Sequence, residues 1–464
     1  MEVGLPERLQ DGAVAVANSP WRRREDAHAS RMIQAVGRYC IIPAAIIAIY
    51  RSTQMWYGYP TSQGDNALND PFLMQLVLYS LVPLLALTTL TLPRMAARAI
   101  VEMGPMVALL GVFLFGSIVT SANPQMSLRG LVQIIILALP MIYLRAFYGA
   151  RGAFELLRKV MGVLLVINFL YAALFPHIAF MSGSLNGAMR GMFVHKNAYG
   201  AYCAMTFVMM VPPDINIRRW DRLLQVGLCG LAMVGAVLSK SSTAVVLLIV
   251  GTGVLVMINI LSRVEQRSIR AITFGGALVF AILLAGGAGT ALLGEVAGQF
   301  GKDVTLSGRA EIWQTLWPVA LDKPWLGHGF AMFRQTAYFQ QFTTTIAWGP
   351  RSTHNTYLEI VLNSGFPVLI VWLSIVLGAI FRAVLLVNVT KPDYRPLQKS
   401  VAAIVLVLLV STSEAGQMLG PQPSWPILVL ALYCIAAATN GRLRRNSVDD
   451  GQTWNGWVAS PTPR

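Results

Sequence analysis

The chain has 464 residues, 55% of them hydrophobic and 12% charged, with a mean hydropathy of +0.58 and a formal charge of +15. A soluble domain carries about 25% charged residues, so the composition excludes an ordinary soluble globular protein and points to an all-α polytopic membrane protein. The excess of Lys and Arg reads as the loop charge bias of membrane proteins, which excludes nucleic acid as the partner.

In chain order, residues 1–35 are polar and contain WRRRED. A cleavable signal peptide has its apolar core within the first few residues after a short basic region, so this segment is expected to be a disordered cytoplasmic tail. Apolar runs long enough to cross a bilayer of about 30 Å then recur near 36–50, 72–92, 104–120, 130–144, 160–176, 198–213, 223–239, 243–261 and 271–293. These nine spans occupy 36–293. A long polar segment, 294–356, separates them from three more at 366–388, 400–417 and 424–440, within 357–440. The chain ends in a second polar tail, 441–464. About twelve spans put both termini on one face. The basic motifs WRRRED, PRMAAR, RRWDR, RVEQRSIR and GRLRR all fall on that face, which the positive-inside bias makes cytoplasmic. Cys40, Cys203, Cys229 and Cys434 lie in apolar stretches with no CxxC spacing and read as small buried hydrophobes.

The opposite face collects the unusual residues. Its loop Pro176–Asn197 holds SGSLNGAMRGMFVHKNAYG, with Arg190, His195, Lys196 and Asn197 close together. The turn SKSST at Ser239–Thr243 adds Lys240, which snorkels at a helix end or binds an anion; both readings stay open. In the long loop, Arg309–Leu321 has helical pattern, with Ile312, Leu316 and Val319 on one face beside Trp313 and Trp317. Asp322–Pro324 ends that pattern. Such a helix suits the membrane interface. The loop returns as RSTHNTYLEIVLNSG, with Arg351, His354 and Asn355 ahead of Tyr357. There Tyr357 is expected to anchor the bilayer boundary, and Gly365-Phe366-Pro367 to break the helix before the span. Glu359 and Asn363, four apart, share a helical face and are candidates to line a groove for sugar hydroxyls. The bland alternative for this stretch is a capped helix start. His177 reads as interfacial, His328 in WLGHGF as a turn residue, and Asp65 and Asp70 as solvated loop acids.

Arg190, Lys196, Lys240, Arg309 and Arg351 together form a cationic patch facing the outer leaflet. Guanidinium matches phosphate bidentately and ammonium acts as a point charge, so the natural partner is a membrane-held phosphate or pyrophosphate. A neutral histidine takes a proton from an attacking hydroxyl, and cations stabilise charge on a leaving pyrophosphate. These parts suit transfer of a group from a lipid pyrophosphate to a hydroxyl. No Walker A motif or HExxH is present, and no cofactor or metal is expected.

Three stretches carry a family resemblance: MFVHKNAYGAY, SGRAEIWQTLWPVALDKPWLGHGF and STHNTYLEIVLNSGFPVLIVW. They resemble the O-antigen ligase and O-antigen polymerase superfamily of bacterial inner membranes, and the pattern looks most similar to its exopolysaccharide polymerases. The resemblance implies an inverting, metal-independent glycosyltransferase acting at the periplasmic face on undecaprenyl-pyrophosphate-linked oligosaccharide. It implies His354 as the base and Arg309 and Arg190 as pyrophosphate ligands, with other export and chain-length proteins as possible partners. One departure stands out: Ser242 occupies a position where the family often has Arg or Lys, which leaves Lys240 as a replacement cation or not. A ligase acting on a lipid A core or other acceptor is the alternative within the superfamily. A polysaccharide or lipid transporter is the alternative outside it, weakened by spans with little charge and no internal repeat.

Overall fold

The computed structural model describes residues 20–53, 55, 72–102, 104–183, 187–211, 219–283, 309–346, 349–350, 352–387, 395–416, 420 and 422–439. Its elements are α1 (Pro20–Ser52), α2 (Phe72–Tyr79), α3 (Leu81–Thr91), α4 (Pro93–Val101), α5 (Pro105–Val119), α6 (Pro124–Leu174), α7 (Lys196–Met210), α8 (Arg219–Leu238), α9 (Ser242–Leu261) and α10 (Arg267–Leu283). The expected outer loop contributes α11 (Arg309–Asp322) and α12 (Ala337–Thr345), and the chain closes with α13 (Thr356–Leu386), α14 (Arg395–Ser411) and α15 (Ser424–Thr439). The protein is an all-helical polytopic membrane protein over these residues. Five helices are long and apolar enough to cross a bilayer, or six if the bent pair described next counts as one span.

Several expected boundaries move. Helix α1 begins at Pro20, so residues 20–35, expected as tail, are backbone-continuous with the first span; residues 1–19 and 440–464 lie outside the described residues. The expected span 72–92 is broken at Ser80, and beyond Leu92 the chain turns by 103° into α4. Pro93 cannot donate to the preceding helix and restricts Leu92 to non-helical backbone. Helix α4 buries Ala96 and Ala99 and exposes Arg94 and Arg98, the pattern of a helix lying in an interface plane. Conversely, two expected spans join in α6. Its 51 residues would run about 75 Å at 1.5 Å per residue, far beyond one bilayer crossing. Gly149 divides it at φ 69°, ψ 173°, a conformation glycine reaches without steric cost.

Helices α7, α14 and α15 bury nearly every side chain, including Tyr202, Cys203, Val401, Leu406, Leu428 and Tyr433. An all-round apolar helix belongs in the centre of a bundle, and these pack with α6, α9 and α13. Helices α8, α9 and α10 instead expose Val226, Met233, Val237, Ile249 and Ile272, as lipid-facing helices do.

The outer segment has its own small core: Ile312, Leu316 and Ala320 of α11, Phe333, Phe342 and Ile346, and Leu358, Val361 and Leu362 at the start of α13. Val319 is only partly buried against it, so Ala320 takes the place expected for Val319. Gly365 interrupts α13 at φ 82°, where the sequence predicts a break. The interruption frees helix carbonyls, and WLGHGF fills them. His328 N–H donates to Leu362 O (2.9 Å), Gly329 N–H to Asn363 O (3.0 Å), and Phe366 N–H returns to Pro324 O (2.8 Å). Gly327 and Gly329 have φ 64° and 109°, and a Cβ on Gly327 would strike the backbone between Asn363 and Ser364. His328 is therefore a buried turn residue, with Nδ1 3.0 Å from Leu362 O.

Candidate functional site

The site forms where the N-termini of α7, α11 and α13 meet the turn after α14. Each element is started by its own sequence. His195 caps α7, its Nδ1 accepting the Asn197 N–H at 3.2 Å. Asn355 caps α13, its Oδ1 accepting the Leu358 N–H at 3.1 Å. Capping satisfies amide groups that have no partner within the helix.

Helix α14 stops at Ser411, ahead of the expected end at 417, and Thr412–Gly416 form a turn. The polar run Ser411-Thr412-Ser413-Glu414 explains the early stop. Glu414 then becomes the centre of the site. Its Oε1 accepts Asn197 Nδ2–H at 2.9 Å and Arg309 Nη2–H at 3.3 Å. Its Oε2 lies 3.9 Å from His354 Nδ1. Its backbone carbonyl accepts the Thr356 hydroxyl at 2.6 Å. Arg309 and Glu414 side chains retain only 13% and 17% exposure, so the pair interacts in a medium where charge is felt strongly. Burial raises the Glu414 carboxyl above its usual range, against the opposing pull of Arg309 and then Asn197.

His354 stands at φ 48°. A non-glycine residue in that region costs on the order of 1–3 kcal/mol and persists only when its surroundings impose it. The imposing contacts are nearby: Trp313 Nε1–H donates to Thr353 O (3.1 Å), and Thr353 Oγ1 donates to Asn355 O (3.1 Å). Burial first, then Arg309, His195 and Arg334, lower the His354 pKa to about 4. His195 is lowered to about 4 as well, by burial, then Lys196, Arg309 and Arg190. Both imidazoles are thus neutral at pH 7. Because His195 Nδ1 accepts a hydrogen bond, its proton sits on Nε2, and that nitrogen is a donor.

The expected residues sort as follows. His354, His195, Asn197 and Arg309 converge on Glu414 or on one another's charge. Arg190 is close enough to perturb His195, and its guanidinium also donates to Ile178 O at 3.0 Å. Lys196 Nζ donates to Lys240 O at 2.9 Å, tying α7 to the turn where Lys240 itself sits exposed at φ 48°. Arg351 lies outside the described residues.

Three expectations change. Asn355 spends its side-chain oxygen on the α13 cap. Tyr357 directs its hydroxyl into the bundle, donating to Leu408 O of α14 at 2.7 Å. Asn363 does not open toward a groove, since it accepts Phe333 N–H (2.9 Å) and donates to Glu359 O (2.8 Å). Glu359 pairs with Arg334 at 3.1 Å. Sequence reasoning missed Glu414 and Arg334. An acid at the edge of an apolar run is the signal that marks Glu414, because an intramembrane carboxylate is costly. Among the described residues no three His, Cys, Asp or Glu side chains converge as metal ligands.

A small cavity of about 150 Å³ adjoins Glu414, Arg334 and Ser352.

Residues 227–373 match the family described as O-antigen ligase. That range holds the Ser239–Lys240 turn, α11, the outer segment and His354; Arg190, His195 and Glu414 fall outside it. The chain is also 27% identical over 287 residues to the Exopolysaccharide production protein ExoQ of Rhizobium meliloti (strain 1021). The alignment takes in 56% of this chain and 61% of that relative, so the chain matches less than two thirds of the relative's length. The resemblance to the O-antigen ligase and polymerase superfamily holds, and it extends to an exopolysaccharide protein.

Proposed function

From that kinship we propose that the chain is a polysaccharide polymerase of the bacterial inner membrane, joining undecaprenyl-pyrophosphate-linked oligosaccharide units at the periplasmic face. The observation that carries the reading is the convergence of Arg309, His354 and Glu414 at the mouth of α13. In this reading about twelve helices cross the membrane, both termini are cytoplasmic, and 294–356 is the periplasmic catalytic loop.

The transfer proceeds in one displacement. The acceptor hydroxyl oxygen bonds to the anomeric carbon from the face opposite the pyrophosphate, which inverts that centre. The C–O bond to the pyrophosphate breaks and its electron pair leaves on the pyrophosphate oxygen. The hydroxyl proton goes to His354. Arg309 and Arg190, with Lys196 and Lys240, bind the lipid pyrophosphate and stabilise the leaving charge, and Arg351 is a further candidate ligand. His354 Nδ1 faces Glu414 Oε2 at 3.9 Å, which leaves Nε2 to take the proton while the carboxylate stabilises the imidazolium that forms. His195, with its proton on Nε2, donates to the substrate. No metal is required, and turnover in EDTA is expected.

A histidine held at about 4 is a weak base at neutral pH, and a good base has a pKa near the working pH. The donor corrects this. Its pyrophosphate charge offsets Arg309, one of the cations that depress His354, so basicity rises when the donor is in place. The energy of the lipid pyrophosphate bond drives the reaction.

The family description, O-antigen ligase, favours a second reading in which the same chemistry delivers the glycan to a lipid A core or other acceptor. The test is complementation of a polysaccharide-minus strain with His354→Ala and Arg309→Ala at matched membrane levels. Loss of polymer in both supports the mechanism, and full-length polymer at normal yield in both defeats it. Accumulation of single capped units instead of polymer in the complemented strain identifies the ligase.

A further inference from the structure

Glu414 divides the site. Its Oε1 faces Asn197 and Arg309 on the cationic side, and its Oε2 faces His354. The cavity of about 150 Å³ lies beyond this carboxylate, and none of Arg190, Lys196, Lys240 or Arg309 lines it. Its cation, Arg334, is already paired with Glu359 at 3.1 Å, and the Glu414 carboxyl also lines the cavity, so the cavity is poorly suited to the donor's charged group.

Its lining has two characters. Helix α7 supplies Ala201 and the ring of Tyr202, while Arg334, Ser352, Gln422 and Ser424 supply polar groups. An apolar wall opposite hydrogen-bonding groups matches a sugar ring, which has a C–H face and a rim of hydroxyls. Arg334 donates to Glu359 Oε1 at 3.1 Å, and a guanidinium has five N–H donors in all. Glu359 Oε2 is buried without a hydrogen-bond partner among the described residues, behind Arg334 and near Gly416, which also neighbours the cavity residue Gln422. A buried carboxylate oxygen left unpaired is costly, and a hydroxyl donor would satisfy it. Ser352 stands two residues before His354, so the cavity and the proposed base share one stretch of chain, and Glu414, which faces His354 at 3.9 Å, also lines the cavity.

We propose that this cavity is the acceptor subsite, taking one hydroxylated sugar ring of the acceptor glycan and recognising it through the Arg334–Glu359 pair and Gln422. The assignment rests on the glycosyl-transfer reading above. There the acceptor oxygen bonds to the donor's anomeric carbon, its proton passes to His354, and the pyrophosphate departs with the bonding electrons.

The experiment uses the full-length protein in nanodiscs and two probes: undecaprenyl pyrophosphate alone, and the oligosaccharide released by mild acid from the host's own lipid-linked repeat unit. Ala201→Phe fills the cavity and Gln422→Ala removes one polar contact. Oligosaccharide binding is expected to weaken by at least roughly tenfold in the first and about fivefold in the second, the scale of one hydrogen bond. Undecaprenyl pyrophosphate binding should stay within about twofold of wild type, and in turnover the acceptor KM should rise with kcat at saturation kept. Unchanged oligosaccharide binding in both variants overturns the proposal, as does loss of undecaprenyl pyrophosphate binding in its place. If Ala201→Phe fails to accumulate in membranes, Gln422→Ala decides by the same two readings. Wild-type protein that binds both probes yet transfers nothing when given the intact lipid-linked repeat unit defeats the transfer reading, while the binding contrast still decides whether the cavity holds a sugar.

Discussion

Arg309 and Glu414 are 105 residues apart and meet at 3.3 Å, the guanidinium donating to the carboxylate oxygen that also holds Asn197. The contact joins the first turn of α11 to the turn between α14 and α15. Glu414→Gln keeps the shape and one acceptor oxygen but removes the charge facing His354. A hydrogen bond to a charged group is worth about 1.5–3 kcal/mol, so transfer should fall on the order of 10- to 100-fold while membrane levels hold. Initial rates on lipid-linked donor measure it; a wild-type rate would show the carboxylate to be structural only.

The pH profile follows from His354. Its pKa is lowered to about 4, and a base works only when deprotonated. The acid limb of kcat/KM, which reports the free enzyme, should therefore fall near pH 4 and not near the usual histidine value of about 6.5. Arg309→Gln removes a charge that depresses His354, so the limb should move to higher pH. In wild type the limb of kcat should lie above that of kcat/KM, because bound pyrophosphate offsets the same charge. Coincident limbs would refute donor-raised basicity.

Asn355 separates the cap from the ligand role. Asn355→Ser preserves a capping oxygen and should keep activity within about threefold, whereas Asn355→Ala should lose about 1 kcal/mol of stability. Thermal unfolding in detergent, read beside KM, checks both. A raised KM in Asn355→Ser at unchanged stability would return Asn355 to substrate contact.

How far the sequence reaches depends on the kind of signal. The helix at Arg309–Asp322, the turn at His328 and the break at Gly365 were legible, because periodicity, glycine pairs and Gly-Phe-Pro are local signals. The three motifs led to Arg309, His195, Asn197 and His354. Glu414 was missed because the expected span, drawn from the apolar run 401–410, was carried through the polar run Ser411–Glu414 to 417 and took the carboxylate inside it. The partner of Arg334 was not legible, because it depends on how the outer segment folds back on α13. At Asn355 the alternative of a capped helix start describes what its side-chain oxygen does, and at Tyr357, expected to anchor the bilayer boundary, packing directs the hydroxyl to α14.

Gly365→Ala tests the break. The residue has φ 82°, and an added Cβ would collide with the Trp325 carbonyl. The variant should lose more than ~1 kcal/mol and shed polymer synthesis with it. Gly378→Ala on the same helix meets nothing within 4 Å and should be neutral or slightly stabilising. Equal unfolding temperatures for the two variants would show that the break carries no strain.

Orientation has a direct readout. Gln340 is exposed on α12, and Gln340→Cys should react with an impermeant thiol reagent in intact cells. Reaction only after permeabilisation would invert the proposed topology.

The interlock of Gly327, His328 and Gly329 with the opened turn at Leu362–Phe366 makes the outer segment and its membrane helix one mechanical part. Two backbone bonds run from the loop to the helix and one returns. The outer segment is therefore not an exchangeable module. A chimera that swaps residues 309–355 between relatives should misplace the histidine unless residues 356–367 travel with it. Specificity in such proteins is then inherited together with a piece of the span.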